Sequence, residues 1–213
     1  MARRIRGLRR VAEQQRQKRT IYIFAEGQNT EPAYFKAMRR HLRALITQPD
    51  IQITAPAGVP MTIAELAIQK KKSLKRNARG ASGQLADEVW AVFDQDDHPQ
   101  VPQAIALCQN AGVGIAYSNP CFELWLILHH QDFGKMDDRH KVQKHFATLC
   151  QNYDPDNGKQ SDCAALMHLI EAPEARAAWQ IEQRVVEGDQ YGRPVTTVFR
   201  LTQAIRLAAQ RKP

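Results

Sequence analysis

Between residues 20 and about 130, short β-rich runs alternate with helical stretches, and that alternation limits the fold more than any other feature of the chain. TIYIFA, IQITA, EVWAVF and VGIAYS are rich in β-branched and aromatic residues over strand-like lengths. Between the first two, TEPAYFKAMRRHLRALI sets Tyr34, Phe35, Met38, Leu42 and Leu45 at helical spacing, with Pro32 in its first turn. TIAELAIQKKKSLKRNA reads as a second helix with a basic tail, GASG breaks the chain, and PQAIALCQNAG reads as a third helix ending at Gly112. NPCFELWLILHH then opens a fourth, with Asn119 as N-cap and Pro120 at the first helical position. Strands separated by helices require right-handed crossovers, so the expectation is an α/β fold with a parallel sheet covered on both faces.

Residues 131–213 contain no comparable strand. DRHKVQKHFATLC, CAALMHLIEA, EARAAWQIEQRVVEG and VTTVFRLTQAIRLAAQ all read as helices, with NYDPDNGK a polar loop between the first two. The expected organisation is a basic arm over 1–19, an α/β core over 20–130 and a helical extension over 131–213. A chain of 213 residues suits one sizeable core with appendages. No apolar run is long enough to span a membrane and none follows MARRIRGLRR as a signal peptide would, so a cytoplasmic protein is expected. Cys108, Cys121, Cys150 and Cys163 form no CxxC and read as reduced thiols.

The formal charge of +8 is concentrated at the start of the chain. Arg3, Arg4, Arg6, Arg9, Arg10, Arg16, Lys18 and Arg19 face Glu13 alone, and the rest of the chain is close to neutral. Such clustering is the electrostatic footprint of a polyanion-binding arm. Lys70, Lys71, Lys72, Lys75, Arg76 and Arg79 add a basic helical tail, readable as a phosphate track or as a solvated face.

Ligands of open parallel sheets gather outside the carboxyl ends of the strands. At those ends this sequence places Glu26 and Gly27, with Glu31 opening the next helix, then Asp94, Asp96 and Asp97 in VFDQDDHP, and Glu123 within the helix after SNP. Any one of these acids alone would read as a cap or a loop residue. Together, Asp-x-Asp at one strand end and a Glu from its neighbour make an oxygen-rich, incompletely closed site suited to Mg²⁺ or Mn²⁺. Magnesium keeps several waters, so few protein ligands suffice. Gly27 lets the backbone approach a metal or phosphate. Glu123, a charge in an otherwise apolar helix, needs a partner if buried. His98 is a candidate to orient a ligand or donate a proton, or a solvated turn residue before Pro99. His129-His130 reads as a helix end where imidazolium favours the dipole. Neither a P-loop nor a GxSxG is present, which disfavours an ATPase or a serine hydrolase.

Glu26-Gly27 followed by Asp94-x-Asp96 resembles the TOPRIM arrangement of topoisomerases, primases and OLD-family nucleases. The strings AEGQNTEPAYF, VFDQDDHP, SNPCFELWLILHH and RPVTTVFRLTQAI resemble the RloB family over residues 18 to 208. That resemblance implies a TOPRIM-like sheet, with Glu26 as metal ligand or general base, Asp94 and Asp96 as metal ligands, and His98 and Glu123 as further candidates. The implied activity is a metal-dependent nuclease acting on RNA, tRNA included, or on DNA, in antiphage defence. The implied partners are nucleic acid and an ATPase protein; no membrane is implied, and homo-oligomer formation stays open. The alternatives are a non-catalytic nucleic-acid-binding or regulatory subunit of an ATPase-containing complex, and a phosphoryl-transfer enzyme acting on a small nucleotide.

Overall fold

The computed structural model of the chain describes residues 19–42, 49–77, 87–95, 98–156 and 162–210. Five strands, β1 (Thr20–Ala25), β2 (Asp50–Thr54), β3 (Glu88–Asp94), β4 (Gly114–Asn119) and β5 (Val195–Thr196), form one sheet in the order β2-β1-β3-β4-β5. The first four are parallel and β5 is antiparallel to β4. The fold is therefore mixed α/β, with helices flanking a mostly parallel sheet and a helical part at the C-terminal side.

Strand alternation decides which helix covers which face. In β1, Ile21, Ile23 and Ala25 point to one apolar cluster, while Tyr22 and Phe24 pack against the other. The second face is covered by α2 (Pro60–Asn77) and α3 (Val101–Ala111) through Ile63, Ala64, Ala67, Val101, Ala104 and Ile105. α1 (Thr30–Leu42) and α4 (Glu123–His130) cover the first. They are joined there by α5 (Arg139–Leu149), α6 (Cys163–Leu166), α7 (Glu171–Val186) and α8 (Val198–Gln210), so sheet and extension share one core. Gly112 ends α3 in the left-handed region, φ 68°, donating to the Gln109 carbonyl at 3.1 Å while Val113 N–H reaches the Cys108 carbonyl at 2.9 Å. All four cysteines are free, and burial pushes the Cys108 thiol up to about 11. Among the described residues no helix is long and apolar enough to cross a membrane.

Two local expectations are corrected. Asn119 does not cap α4; it ends β4 opposite Val195 and precedes a cis Pro120, and the helix begins at Glu123. Its amide is committed to the C-terminal segment, donating to the Tyr191 carbonyl at 2.9 Å and accepting from Arg193 Nε at 3.2 Å. Nor does VTTVFRLTQAIRLAAQ form one helix. Val195 and Thr196 complete the exposed edge of β4, where the Thr196 and Ser118 hydroxyls meet at 3.0 Å, and only then does α8 begin. An unpaired strand edge and a β-branched Val-Thr-Thr run outweigh the helical period that follows.

An aromatic cluster locks α1 against α4. Tyr34 stands edge-on to Phe35, Phe122, Trp125 and His129, at centroid distances of 5.4, 5.8, 6.0 and 5.6 Å. His129 is no helix-end cation. It is buried, shares a hydrogen bond of 3.1 Å with the Tyr34 hydroxyl, and burial, with His130 and Arg176 adding to it, pushes its imidazole down to about 3. Burial and Arg176 lower His130 too.

This gives a pH prediction. Between the ordinary imidazole value of about 6.5 and the depressed one, the unfolded chain binds a proton that the folded chain refuses, so stability rises with pH there. The contribution is complete above about pH 6.5 and is lost on acidification at about 1.4 kcal/mol per pH unit. Urea unfolding at pH 7 and pH 5 should show the wild type losing about 2 kcal/mol more than His129→Leu. Equal losses in both proteins would mean that His129 is not held neutral.

Candidate active site

Three helix N-termini meet at the carboxyl edge of the sheet. Gly27, Gln28, Asn29, Thr30 and Glu31 from the β1–α1 turn, Asp94 from β3, Phe122 and Glu123 from the start of α4, and Arg139 from the start of α5 enclose a cavity of about 210 Å³. Helix N-termini present positive dipole ends, which suit an anion. The carboxylates suit a cation, and the site holds both kinds of group.

The parallel register puts the acids together. Ala25 pairs with Val92 and Glu26 N–H donates to the Val92 carbonyl at 3.0 Å, so the first residue beyond β1 stands beside the end of β3. From there Glu26 Oε2 accepts the Asp94 N–H at 3.2 Å. Asp94, 8 % exposed, ends β3 opposite Ser118. The next residue is pinned as well: Gln95 N–H reaches the Ser118 carbonyl at 2.8 Å, and its side chain accepts from the Tyr117 hydroxyl. Glu31 turns back over the β1–α1 turn and accepts from Gly27 N–H at 3.1 Å. A Cβ at Gly27 would fall on the Glu31 carboxylate, so the space the glycine leaves is taken by that acid.

Glu123 is 3 % exposed, and its buried charge has a partner in the extension. Tyr153 Oη, just after α5, donates to Glu123 Oε1 at 2.5 Å. Burial first and the Glu123 carboxylate second hold the Tyr153 hydroxyl well above its ordinary value, so it stays a donor. The same two causes, with Asp94 adding, keep Cys121 a thiol and deny it nucleophilic character. Arg139 is the only cation among the described residues lining the cavity. Tyr153→Phe should cost about 1.5 to 3 kcal/mol, because a buried carboxylate loses a charge-assisted hydrogen bond. A melting temperature equal to wild type would show that the contact contributes nothing.

Of the residues expected in the site, Asp94 and Glu123 line the cavity and Glu26 stands beside it, accepting the Asp94 N–H, while Asp96 lies outside the described residues. His98 does not line the cavity; it is half-buried at the turn into α3, its carbonyl accepting from Val101 N–H at 3.4 Å. Arg3, Arg4, Arg6, Arg9 and Arg10 lie outside the described residues. Lys70, Lys71, Lys72, Lys75 and Arg76 belong to the far end of α2 and line no part of the cavity. Glu31 was visible in AEGQNTE only as a helix opener. Arg139 and Tyr153 carried no local signal, since their relation to Glu123 spans 16 and 30 residues of chain. A larger cavity of about 560 Å³ between Leu128, Phe133 and Trp179 has one carboxylate on its wall, Asp132, ion-paired to Arg176 at 2.9 Å.

Among the described residues no three His, Cys, Asp or Glu side chains are grouped closely enough to hold an ion by themselves. A magnesium-type ion needs one or two carboxylates together with water and substrate oxygens. Glu26 beside Asp94 fits that share, with an all-oxygen donor set suited to Mg²⁺ or Mn²⁺.

The model of the RloB-like protein family matches residues 21–205. The chain belongs to that family. The match runs from the second residue of β1 through every element that builds the cleft and on through β5 into α8, ending at residue 205. No curated protein and no solved structure matches the chain.

Proposed function

We propose that this RloB-like protein is a metal-dependent phosphodiesterase acting on nucleic acid, RNA or DNA, in a TOPRIM-like manner. The observation that carries the reading is the convergence of Glu31, Asp94 and Glu123 with Arg139 and three helix N-termini on one cleft, with Glu26 bonded to the Asp94 backbone beside it. A phosphodiester brings negative charge to a site that must bind an anion and activate water, and this cleft holds groups for each task. Arg139 and the positive dipole ends of α1 and α4 attract the phosphate oxygens. Glu26 and Asp94 would hold Mg²⁺ or Mn²⁺, whose chemistry when bound is neutralisation of phosphate charge and a water of lowered pKa. Glu123, fixed by Tyr153, keeps an oriented carboxylate on the cavity wall. A role in antiphage defence beside an ATPase partner accords with the family resemblance.

Purified protein is incubated with labelled tRNA, single-stranded RNA and plasmid DNA in Mg²⁺, Mn²⁺ or EDTA. The expected result is cleavage of at least one substrate that EDTA stops. Binding without cleavage under every condition would replace the enzyme by a nucleic-acid-binding subunit of a larger complex.

A further inference from the structure

The acids occupy one edge of the sheet, and a basic surface occupies the other. We propose that the edge formed by the starts of the strands is a second nucleic-acid contact, separate from the acidic cleft, and that it grips phosphate backbone remote from the bond being cleaved. That the polyanion is nucleic acid rests on the function proposed above; the location does not.

The location follows from one contact. Lys70 Nζ sits 3.9 Å over the Tyr22 ring, which levels that turn of α2 with the third residue of β1. From Lys70, α2 runs on toward the strand starts, reaching Arg76 about 9 Å further at 1.5 Å per residue. Thr20 lies about 7 Å back along β1, so Lys75 and Arg76 stand level with Thr20 and Arg19. Lys72, Lys75 and Arg76 are exposed, and Lys71 is half-buried. α1, on the other face of the sheet, ends at the same edge. Its last turn exposes Arg40 and His41, and Arg39 Nη1 donates to the carbonyl of Ile51, near the start of β2, at 3.2 Å.

Among the described residues at the strand starts, the acids are Asp50, Asp87 and Glu88. Glu88 holds Arg19 and Trp90 Nε1, Asp87 accepts Thr20 N–H at 2.9 Å, and Asp50 accepts Gln52 Nε2 at 2.8 Å. Cations remain in excess, and the basic segment over residues 1–18 joins the fold here, at Arg19. None of the large exposed apolar side chains belongs to α2. A membrane-seeking basic helix carries such side chains on its other face, so a phosphate backbone is the fitting partner.

Distance gives the proposal its test. Val89, paired with Tyr22, lies five residues before Asp94 on β3, about 17 Å along the strand. Adding the offset from Tyr22 to Thr20 separates the basic edge from the cleft by about 23 Å, at most about seven nucleotides, the count at the 3.4 Å spacing of a stacked strand. A trinucleotide reaches one site only, whereas about 16 nucleotides can reach both.

Binding of labelled single-stranded oligonucleotides of these two lengths is measured by fluorescence anisotropy in EDTA, with the full chain and with K72Q/K75Q/R76Q. For the longer strand the variant should bind at least about tenfold more weakly, and its log K against log salt slope should flatten by about 2. The melting temperature should match wild type, and the trinucleotide, with only two internucleotide phosphates to offer, should lose less affinity and less slope than the longer strand. An unchanged long-strand slope, or equal losses for both lengths, overturns the proposal. Loss of binding to phosphatidylserine vesicles with oligonucleotide binding intact overturns it in favour of a membrane surface. Because EDTA removes any cleavage from the reading, retained long-strand binding by a protein that cleaves nothing would sink the nuclease and leave this surface standing.

Discussion

In Asp94→Asn, Mn²⁺ affinity measured by titration calorimetry should fall by at least about a hundredfold, and metal-dependent cleavage should fall with it. Losing a partner that merely orients a metal ligand already costs about 10- to 100-fold, and the role proposed for Asp94 is that of a ligand itself. Glu26→Gln should weaken binding less, because an amide oxygen can still accept the Asp94 N–H that Glu26 Oε2 now takes at 3.2 Å. The apo fold should persist in both, as Asn and Gln keep the volumes of the residues they replace. Far-ultraviolet circular dichroism checks that point. Unchanged Mn²⁺ affinity in the double variant Asp94→Asn, Asp96→Asn would remove the metal assignment altogether.

Trp125→Ala should destabilise the fold by about 3 to 5 kcal/mol, the usual cost of truncating a fully buried tryptophan. Trp125 has no exposed surface, and it stands edge-on to Tyr34 at 6.0 Å and to His129 at 5.3 Å. Its loss opens a cavity between α1 and α4, the two helices whose N-termini carry Glu31 and Glu123. The melting temperature should drop by roughly 10 °C, and activity should decline near that lower transition rather than at 20 °C. A loss below about 1 kcal/mol would mean that the cluster repacks and that α1 and α4 are held apart from it.

These two variants separate what local sequence can show from what it cannot. Asp94 was legible because a carboxylate directly behind EVWAVF must lie at a strand end, and parallel sheets bind ligands there. Glu26 was legible for the same reason behind TIYIFA. Glu123 was legible as a charge in an apolar helix, but its partner was not: Tyr153 sits in a polar loop whose return to the cleft depends on how α5 packs against α4. Arg139 is equally silent in sequence, being simply the residue after the N-cap Asp138. The basic tail of α2 was plain as a charge run, whereas its distance from the acids was not, since that follows from α2 running antiparallel to the strands.

The sequence by itself determined the order of strands and helices through residue 130, the parallel pairing that crossovers impose, and the acids at the strand ends, because hydrophobic period and chain direction are local properties. Only the tertiary structure decided the rest. Asn119 ends a strand rather than capping a helix because Tyr191 and Arg193 take its amide. Val195 and Thr196 become β5 because β4 presents an unpaired edge. His129 is held neutral because Tyr34, from α1, helps exclude water from it. Each outcome turns on a partner more than 60 residues away or on burial by another element, and neither is written in the neighbouring residues.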